Sequence, residues 1–408
     1  MREGWESSLL VEHIKFIDYR GRTPKKIDEG MRLITAKNVK MGFLQIEPKE
    51  FVDPNIYQSW MTRGIPKKGD VLFTTEAPLG NVAQLDTDEK VVFAQRVIIM
   101  QPNRDVLEPT FLKYMLLTRA LQSKLQEKAT GATARGIKAS LLKKIEITFP
   151  SISKQERIVA ILDEAFEGIN QAIANTEKNF TNARELFESY LNNILTQKGD
   201  GWVDTTLSEL CDKVEYGTSS KSTPEGRVPV IRMGNVQNGS ICWDNLVYTD
   251  KAEDIKKYIL KNNDILFNRT NSAELVGKTA IYRNEKPAIF AGYLIRLHRK
   301  EDLIDADFLN YYLNSIPARE YGKTVMSRSI NQANINGTKL KGYPISIPKL
   351  VEQKEIVERV REIQESTKQL QIIYQQKLAA LTELKQSILQ KAFTGELNKE
   401  TEQLVANG

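Results

Sequence analysis

The chain has 408 residues, of which 41% are hydrophobic and 27% are charged, and its formal net charge at pH 7 is +6. This length predicts more than one domain, the lack of any window of ~18 uninterrupted apolar residues excludes a membrane span, and two cysteines cannot form a disulfide framework. The chain starts without a basic-then-apolar leader, so we expect a reduced, cytoplasmic protein, and its basic balance favours a polyanionic partner.

Short strand-like runs alternate with loops over the first 150 residues. Runs such as VLFTT and KIEITFP are rich in Val, Ile, Phe and Thr and are bounded by Gly, Pro, Asn or Asp, as strands usually are. Residues 109–128 instead place apolar side chains at helical spacing, which predicts one helix in this part of the chain. The composition changes after Pro150, where the strand-like runs end.

A long helix is predicted from about residue 153 to 197. Its apolar residues step mostly by four and by three, which is typical of a coiled-coil seam with one irregular step. We expect Ile158, Leu162 and Ile169 to lie in this seam and to have a structural role.

The second half of the chain repeats the first at an offset of about 197 residues. For example, LKKIEITFPSISKQERIV (142–159) is matched by LKGYPISIPKLVEQKEIV (340–357). The period is far longer than the 20–50 residues of solenoid repeats, so a domain-sized unit has been duplicated. The repeat predicts a second short helix at 306–321 and a second long helix at about 351–393. The predicted seam residues of that second long helix are Ile356, Ile363 and Leu370.

These elements predict an α+β fold in which two duplicated mixed α/β domains are separated by two long helices. A helix of ~42 residues is ~63 Å long, more than the diameter of a ~150-residue domain, so much of its apolar stripe needs a partner. We therefore expect the two helices to pair as an antiparallel coiled coil with pseudo-two-fold symmetry; packing of each helix on its own domain is the alternative. The expected segments are a first domain at 1–150, a first helix at 151–198, a second domain at 199–348, a second helix at 349–396 and a C-terminal tail at 397–408.

No motif in the sequence indicates catalysis. GTSSKS (217–222) lacks the spacing of a phosphate-binding loop, and no G-x-G-x-x-G opens a helix after a strand. SISK (151–154) matches one motif of the penicillin-binding enzymes, but its partner motif is missing and a helix start explains it better. Asp70 and Asp264 hold equivalent places before a strand, where a turn residue is several times more common than a catalytic one. The histidines and cysteines, two of each, lack the spacing of a zinc site.

Nucleic-acid binding accounts better for the loops. Equivalent loops of both halves combine basic, amide and hydroxyl side chains, the groups that contact phosphates and base edges. An ordinary solvated loop is the alternative for any one of them, but eight such loops in equivalent places strengthen the joint interpretation. The candidate DNA-binding residues are Arg22, Lys25, Lys37, Asn38, Arg135 and Lys138 in the first half, and Arg232, Asn235, Arg269, Asn271 and Arg328 in the second.

The junction IEITFPSISKQERIV and its echo YPISIPKLVEQKEIV resemble the strand, proline and helix junction of type I restriction–modification specificity subunits. The GDVLF strand, the GAT approach to the first long helix and the TGEL ending (394–397) are similar to that family as well. The resemblance covers essentially the whole chain, including the order of domain, helix, domain and helix. The first junction departs from the family pattern because its second proline is missing.

The resemblance implies that each domain is a target recognition domain that reads one half of a split, asymmetric site in double-stranded DNA. It implies that the paired helices set the spacer and dock two methyltransferase subunits, and that restriction subunits join the complex. S-adenosylmethionine, ATP and Mg would be bound by those partner subunits, whereas this chain would hold no cofactor and no metal and would have no catalytic residues. No membrane partner is implied.

Three other functions remain open at this point. A stand-alone two-armed DNA-binding protein would leave the outer face of the coil polar, whereas a subunit dock should expose apolar or aromatic residues such as Phe166, Phe180, Tyr190 or Tyr374. A combined nuclease and methyltransferase would need a methyl-donor pocket, for which the sequence has no motif. A purely structural adaptor would not show the steep salt dependence of DNA binding.

Overall fold

The computed structural model describes residues 4–19, 23–131, 135–330 and 332–396. They form two compact units. The chain up to Thr176 together with the chain from Gln376 makes the first unit, and Glu177–Gln375 makes the second. Each unit thus holds the beginning of one long helix and the end of the other. The predicted tail at 397–408 lies outside the described residues.

The first unit consists of short strands and short helices that precede a long helix. Its strands are β1 (Trp5–Leu9), β2 (Ile14–Asp18), β3 (Lys26–Ile27), β4 (Met31–Ile34), β5 (Glu50–Val52), β6 (Val71–Thr74), β7 (Val82–Gln84), β8 (Val92–Phe93), β9 (Val97–Pro102) and β10 (Glu146–Pro150). Its helices are α1 (Leu10–His13), α2 (Tyr57–Trp60), α3 (Pro109–Leu117), α4 (Arg119–Glu127) and α5 (Ala139–Leu142), and the long helix is α6 (Ile152–Thr196).

Two four-stranded sheets make up most of the body of the first unit. One sheet has the order β2-β9-β6-β7, the other has the order β3-β5-β4-β8, and β1 pairs separately with β10. On β6, Val71 and Phe73 join the core that contains Phe111, whereas Leu72 joins a second core with Ile99. Both faces of β6 are therefore buried, which explains why VLF is an uninterrupted apolar run.

The second unit repeats this plan with more pairing between strands. Its strands are β11 (Val203–Thr206), β12 (Cys211–Tyr216), β13 (Val228–Ile231), β14 (Val236–Gln237), β15 (Gly239–Ile241), β16 (Val247–Thr249), β17 (Ile265–Asn268), β18 (Thr270–Asn271), β19 (Thr279–Ile281), β20 (Ile289–Phe290), β21 (Leu294–Arg299), β22 (Ser327–Arg328), β23 (Ala333–Asn334) and β24 (Pro344–Ile347). Its helices are α7 (Leu207–Leu210), α8 (Ala252–Tyr258), α9 (Ala306–Asn314), α10 (Ile316–Val325) and α11 (Gly337–Lys341), followed by the long helix α12 (Leu350–Thr394). The sheets have the orders β12-β21-β17-β19-β15-β14, β16-β13-β20, β18-β23-β22 and β11-β24.

The single helix predicted in each half is two short helices in the structure. Thr118 is extended between α3 and α4; its hydroxyl donates to the Met115 carbonyl at 2.7 Å and accepts from the Leu121 amide at 3.4 Å. Ser315 is likewise extended between α9 and α10, and its hydroxyl donates to the Tyr312 carbonyl at 2.5 Å; it makes no hydrogen bond to α10, which has a proline in its first turn. An extended residue with a hydroxyl therefore lies at each break, at a point that the apolar spacing does not reveal.

A buried glutamine fixes the start of α6 to the first unit. Gln155 is fully buried, and its side-chain amide nitrogen donates to the carbonyls of Val106 and Pro150, both at 2.8 Å. Its side-chain oxygen accepts from the backbone amide of Glu108 at 2.9 Å, just before α3 begins. The glutamine of the repeated junction thus joins the last strand, the long helix and a domain helix.

The same three hydrogen bonds recur in the second unit. Gln353 donates to the carbonyls of Leu303 and Pro348, both at 2.9 Å, and accepts from the Asp305 amide at 2.9 Å. It too is fully buried. The duplication therefore preserves not only the motif but also the contacts that the motif makes.

Within each unit, the start of one long helix packs on the end of the other. In the first unit, Ile158, Leu162 and Ile169 of α6 are buried in one core with Leu389 and Ala392 of α12. The corresponding core of the second unit joins Leu191 and Leu195 near the end of α6 to Ile356, Val357 and Val360 near the start of α12. The helices therefore pair antiparallel, and the seam positions predicted at Ile158, Leu162, Ile169 and Ile356 are confirmed.

The predicted seam is wrong at one position of α12. Leu370 is 37% exposed, and Ile363 is only half-buried. Thr367 is 3% exposed and bonds back to the Ile363 carbonyl at 2.9 Å, and the next half-buried position is Gln371. The seam thus advances by four residues from Thr367, not by three, which turns Leu370 outwards. No helix among the described residues is long and apolar enough to cross a membrane.

Candidate nucleic-acid interface

Asn38 supports a loop of the first unit from inside. The residue is 1% exposed, and its side-chain oxygen accepts from the backbone amide of Thr35 at 3.0 Å. Its amide nitrogen donates to the carbonyls of Gln45 and Pro48 at 3.2 and 3.1 Å. The prediction that this side chain contacts DNA is wrong, because the loop itself uses its hydrogen-bonding groups.

Asn235 has the same role in the second unit. It is 3% exposed, its oxygen accepts from the Arg232 amide at 2.9 Å, and its nitrogen donates to the carbonyls of Cys242 and Asp244, both at 2.9 Å. It is therefore also wrongly predicted as a DNA-binding side chain. Arg232 itself remains exposed, and its guanidinium donates to the Asn245 carbonyl at 2.7 Å.

A small three-stranded sheet brings together three candidates of the second unit. Strand β23 pairs with β18, which carries Asn271, and with β22, which carries Arg328. Arg269 immediately precedes β18, and its carbonyl accepts from the Ile335 amide at 2.9 Å. Candidates that lie almost 60 positions apart in sequence thus lie in or beside one small sheet.

Arg269 is held in place by an aromatic ring and a carbonyl. Its guanidinium carbon lies 4.9 Å from the centroid of the Tyr216 ring, and its Nη1 donates to the Gly292 carbonyl at 3.1 Å. The Tyr216 hydroxyl accepts from the Gly337 amide at 2.8 Å. A Cβ on Gly337 would lie 3.0 Å from Val214 Cγ2 and 3.1 Å from that hydroxyl, so a larger residue there would have to displace one of them slightly.

Buried polar atoms without partners lie beside this pair. Asn268 is 1% exposed, and neither its side-chain oxygen nor its nitrogen has a partner among the described residues. The Nε of Arg269 is also buried and unpartnered there. In the first unit the position of Asn268 is held by Thr74, whose hydroxyl donates to the Pro78 carbonyl at 2.6 Å and accepts from the Asn81 amide at 2.9 Å.

An irregularity in β12 exposes Tyr216. Counted along the repeat, Tyr216 corresponds to Tyr19, which is 4% exposed and donates to the Gly64 carbonyl at 2.6 Å. The pairing of β12 with β21 shifts between Cys211 and Lys213, so from there on each residue moves by one place against its partner strand. A shift of one residue turns a strand's side chains to the opposite face, and Tyr216 is 42% exposed.

The same shift brings Glu215 opposite Arg296. Arg296 is 6% exposed; its Nε donates to Glu215 at 3.0 Å and its Nη1 to Asp264 at 2.9 Å. His298 lies 2.9 Å from the same Glu215 oxygen. Burial alone would raise the pKa of Glu215, but hydrogen bonds from Arg296, His298 and Lys213 lower it to about 2. Glu215 therefore stays ionised in a partly buried network next to Tyr216.

The corresponding loops of the first unit also meet. The amide and carbonyl of Thr130 exchange hydrogen bonds with those of Gly136 at 2.9 Å, and the Ile137 amide donates to the Thr75 carbonyl at 2.9 Å. Arg135 and Lys138 are exposed beside this pairing. Lys25 and Lys37 are exposed as well, whereas Arg22 lies outside the described residues.

Sequence reasoning missed two features of the first unit, an arginine and a groove. Arg96 immediately precedes β9 and has a φ of +77°. Its Nε forms an ion pair with Glu76 at 3.0 Å. Separately, a groove of about 580 Å³ beside β4 and β5 is lined by apolar side chains together with Arg32, Lys49, Lys90 and Glu89. The mismatch between Gln-Arg in FAQRVI and Gly-Tyr in its repeat FAGYLI is the sequence signal that marks Arg96 as variable.

The two repeated aspartates close turns. The backbone amide of Lys67 donates to Asp70 at 2.7 Å, and that of Lys261 donates to Asp264 at 2.8 Å. Burial raises the pKa of Asp70, which is 2% exposed. The interpretation as turn residues is confirmed. Across the described ranges, no group of three or more His, Cys, Asp or Glu could hold a metal ion.

Comparison with known proteins identifies the family. The family model of the type I restriction modification DNA specificity domain matches the chain twice, over residues 62–179 and 199–380, which together make up most of its length. The chain belongs to this family of type I specificity proteins. Its function is therefore DNA sequence specificity within a type I restriction–modification system.

Known specificity subunits align with nearly the whole of this specificity chain. It is 26% identical to the StySPI specificity subunit of Salmonella potsdam and 23% identical to the EcoKI specificity subunit of Escherichia coli strain K12. Each alignment covers 97% of this chain and 89% of the relative.

Solved structures share the fold of this specificity chain. A chain from a study of assembly and conformational transition in a type I system matches with a TM-score of 0.76 and 20% identity, covering 96% of this chain and 98% of that one. The HsdS subunit of Thermoanaerobacter tengcongensis matches with a TM-score of 0.57 and 20% identity, covering 97% and 98%. The duplicated domains and paired long helices are thus a shared architecture.

Proposed function

We propose that this chain is the non-catalytic DNA-reading subunit of a type I complex, and that each unit recognises one half of an asymmetric, two-part site. The observation that carries this proposal is a common framework with different reading surfaces. Gln155 and Gln353 make the same three contacts in the two units. The loops that these frameworks support differ, with Arg269 half-buried against the Tyr216 ring in one unit and Thr75 buried at the equivalent place in the other.

We propose further that the long helices set the spacing between the two half-sites. Each helix has 45 residues and is therefore about 67 Å long at 1.5 Å per residue. Inserting seven residues into both helices keeps the seam in phase and adds about 10 Å. The expected result is a spacer longer by roughly three base pairs, at about 3.4 Å each, with both half-sites unchanged. A changed half-site with the old spacer would contradict the role as a ruler.

The long helices also supply a surface for partner subunits. Apolar side chains are exposed on them, although a solitary pair of helices would gain from polar ones. Phe166 is buried, and Phe180, Tyr190 and Tyr374 are half-buried, so these four aromatic residues are not the exposed set. The exposed apolar residues of the two helices are Leu186, Val351, Leu370, Ile372, Ile373 and Leu384. This exposure favours docking of two methyltransferase subunits over a stand-alone DNA-binding protein.

The chemistry of the complex would then belong to the partners. We assign S-adenosylmethionine to the methyltransferase subunits, and ATP and Mg to the restriction subunits. Because its substrate is cellular or incoming DNA, the complex would act in the cytoplasm.

Co-expression with the cognate methyltransferase subunit in a methylation-free host, followed by sequencing for modified adenines, tests the proposal. We expect one split, asymmetric motif. A stable complex that modifies no motif would contradict the DNA-reading role. Failure to form any complex would favour the stand-alone DNA-binding protein.

A further inference from the structure

In each unit, the loop after one strand is hydrogen-bonded to the turn before another, β6 and β9 in the first unit and β17 and β21 in the second. We call this contact the loop junction, and it holds one arginine in each unit. In the first unit, the Thr75 amide donates to the Arg96 carbonyl at 2.9 Å, and in the second, the Arg269 amide donates to the Tyr293 carbonyl at 3.0 Å. These paired hydrogen bonds make Thr75 equivalent to Arg269 and Arg96 equivalent to Tyr293. The two units therefore supply an arginine to the same place, but from opposite loops.

We propose that Arg96 and Arg269 are base-reading residues, each of which contacts a guanine in the half-site of its own unit. The inference rests on the proposed function, because it assumes that each unit reads one half-site. Arginine offers two N–H donors in a fixed fork, and guanine presents two adjacent acceptors, N7 and O6, on its major-groove edge. An arginine at this junction suits guanine better than any other base.

Both guanidinium groups already contact a neighbouring group of their own unit. Arg96 uses its Nε for the ion pair with Glu76 at 3.0 Å, and among the described residues its terminal nitrogens have no other partner. Arg269 lies 4.9 Å from the centroid of the Tyr216 ring and donates through Nη1 to the Gly292 carbonyl. Prior orientation of a side chain lowers the entropy that binding must offset.

Fold stability does not account for either arrangement. A positive φ of +77° is unfavourable for a residue with a side chain, and the Arg96–Glu76 pair is 45% and 44% exposed, where an ion pair contributes little. Beside Arg269, its own Nε and the amide of Asn268 are buried without partners. Residues that disfavour the fold and cluster at a loop junction indicate a binding role.

The first experiment changes each arginine in the full complex with the cognate methyltransferase and sequences the modified adenines. Arg96→Gly should relax one guanine position in one half-site, and Arg269→Gln should relax one in the other, with the spacer unchanged. Arg119→Ala and Arg319→Ala, which change exposed arginines on α4 and α10, are the matched controls and should leave the motif intact. Unchanged half-sites in both variants would overturn the proposal, as would a half-site without guanine for that unit.

A second measurement separates base reading from phosphate contact. Replacing the assigned guanine by 7-deazaguanine removes N7 and should weaken binding of the unsubstituted complex by roughly 10- to 100-fold. The same replacement should not weaken the arginine variant further. Equal weakening on all DNA sequences would mean phosphate contact and would overturn the proposal.

The melting temperatures of the variants distinguish loss of base discrimination from loss of folding. Glycine tolerates a positive φ, so Arg96→Gly should keep or raise the melting temperature while it loses base discrimination. Arg96→Lys keeps the charge but not the fork, and should lose discrimination as well. A complex of unsubstituted subunits that modifies no motif overturns the proposed function, whereas a normal motif that both variants retain overturns only the present inference.

Discussion

The two units pair equivalent strands but differ in the side chains that face each other across the pair. Where β2 meets β9, Ile17 faces Ile99, and both lie in an apolar core. Where β12 meets β21, Glu215 faces Arg296, and Asp264 and His298 complete a polar network. The comparison teaches that the framework constrains which backbone groups meet, and leaves the chemistry of the facing side chains free to diverge.

The largest expected effect comes from placing the apolar residue of the first unit into the network of the second. Arg296→Ile leaves Glu215 and Asp264 partly buried without their main partner, and should destabilise the second unit by roughly 3–5 kcal/mol. Denaturant unfolding of the variant measures this loss. The double variant Glu215→Ile with Arg296→Ile copies the apolar pair of the first unit and should recover much of it. If Arg296→Ile is as stable as the parent, the ion pairs of Arg296 do not stabilise the second unit.

Substitution of the junction glutamines, Gln155 and Gln353, should destabilise the two units to a similar extent. Gln155→Met and Gln353→Met each leave one backbone amide and two carbonyls unpaired in a buried place, at a cost of roughly 2–4 kcal/mol. Hydrogen exchange of the amides of Glu108 and Asp305 reports each junction separately. A large effect in one unit and none in the other would contradict the equivalence of the two junctions.

The stability of the two units should respond differently to acid. The pKa of Glu215 in the fold, about 2, lies below its ordinary value near 4.5, so its stabilising effect is full above about pH 4.5 and is lost as the pH falls towards 2. Burial raises the pKa of Asp70 instead, so ionised Asp70 opposes folding, and protonation near and below pH 4 favours the fold. Hydrogen exchange at pH 5 and pH 3 should therefore show the second unit weakened more than the first. Glu215→Gln should reduce this difference, and Asp70→Asn should leave the second unit unaffected.

The smallest effects are expected at exposed basic residues. Arg135 and Arg328 have no partner that would fix them among the described residues, so they suit phosphate contact. Arg135→Ala and Arg328→Ala should each weaken DNA binding about equally on all sequences and lower the salt slope by roughly 1. Titrations at several salt concentrations measure the slope. A change of half-site in either variant would instead make that residue a base reader.

The sequence reveals the architecture well because the repeat and the helical period are properties of many residues at once. The seam at Ile158, Leu162 and Ile169 follows from spacing alone, and it is buried as predicted. Leu370 is exposed because the step after Thr367 is longer than the repeat implies, a difference of one residue that packing decides.

The site was harder to predict because residue type does not determine burial. Asn38 and Asn235 have the chemistry of base-reading residues, yet their carboxamides hold the loops from inside. Arg96 has no special motif, and its place becomes evident only from the hydrogen bond that its carbonyl accepts from Thr75. Which side chains face outwards depends on strand register, and a shift such as that between Cys211 and Lys213 leaves no periodic signal.

The register shift in β12 has a consequence for how such genes can diverge. Gain of one codon in β12 would be enough to turn a buried tyrosine into a solvent-facing one and to bring an acidic residue to the inner face, without altering any codon that follows. Once the gene segment has been duplicated, a single three-nucleotide insertion would thus suffice to create a new reading surface. Lineages that must change which DNA they mark could therefore diverge by small in-frame insertions as readily as by substitution.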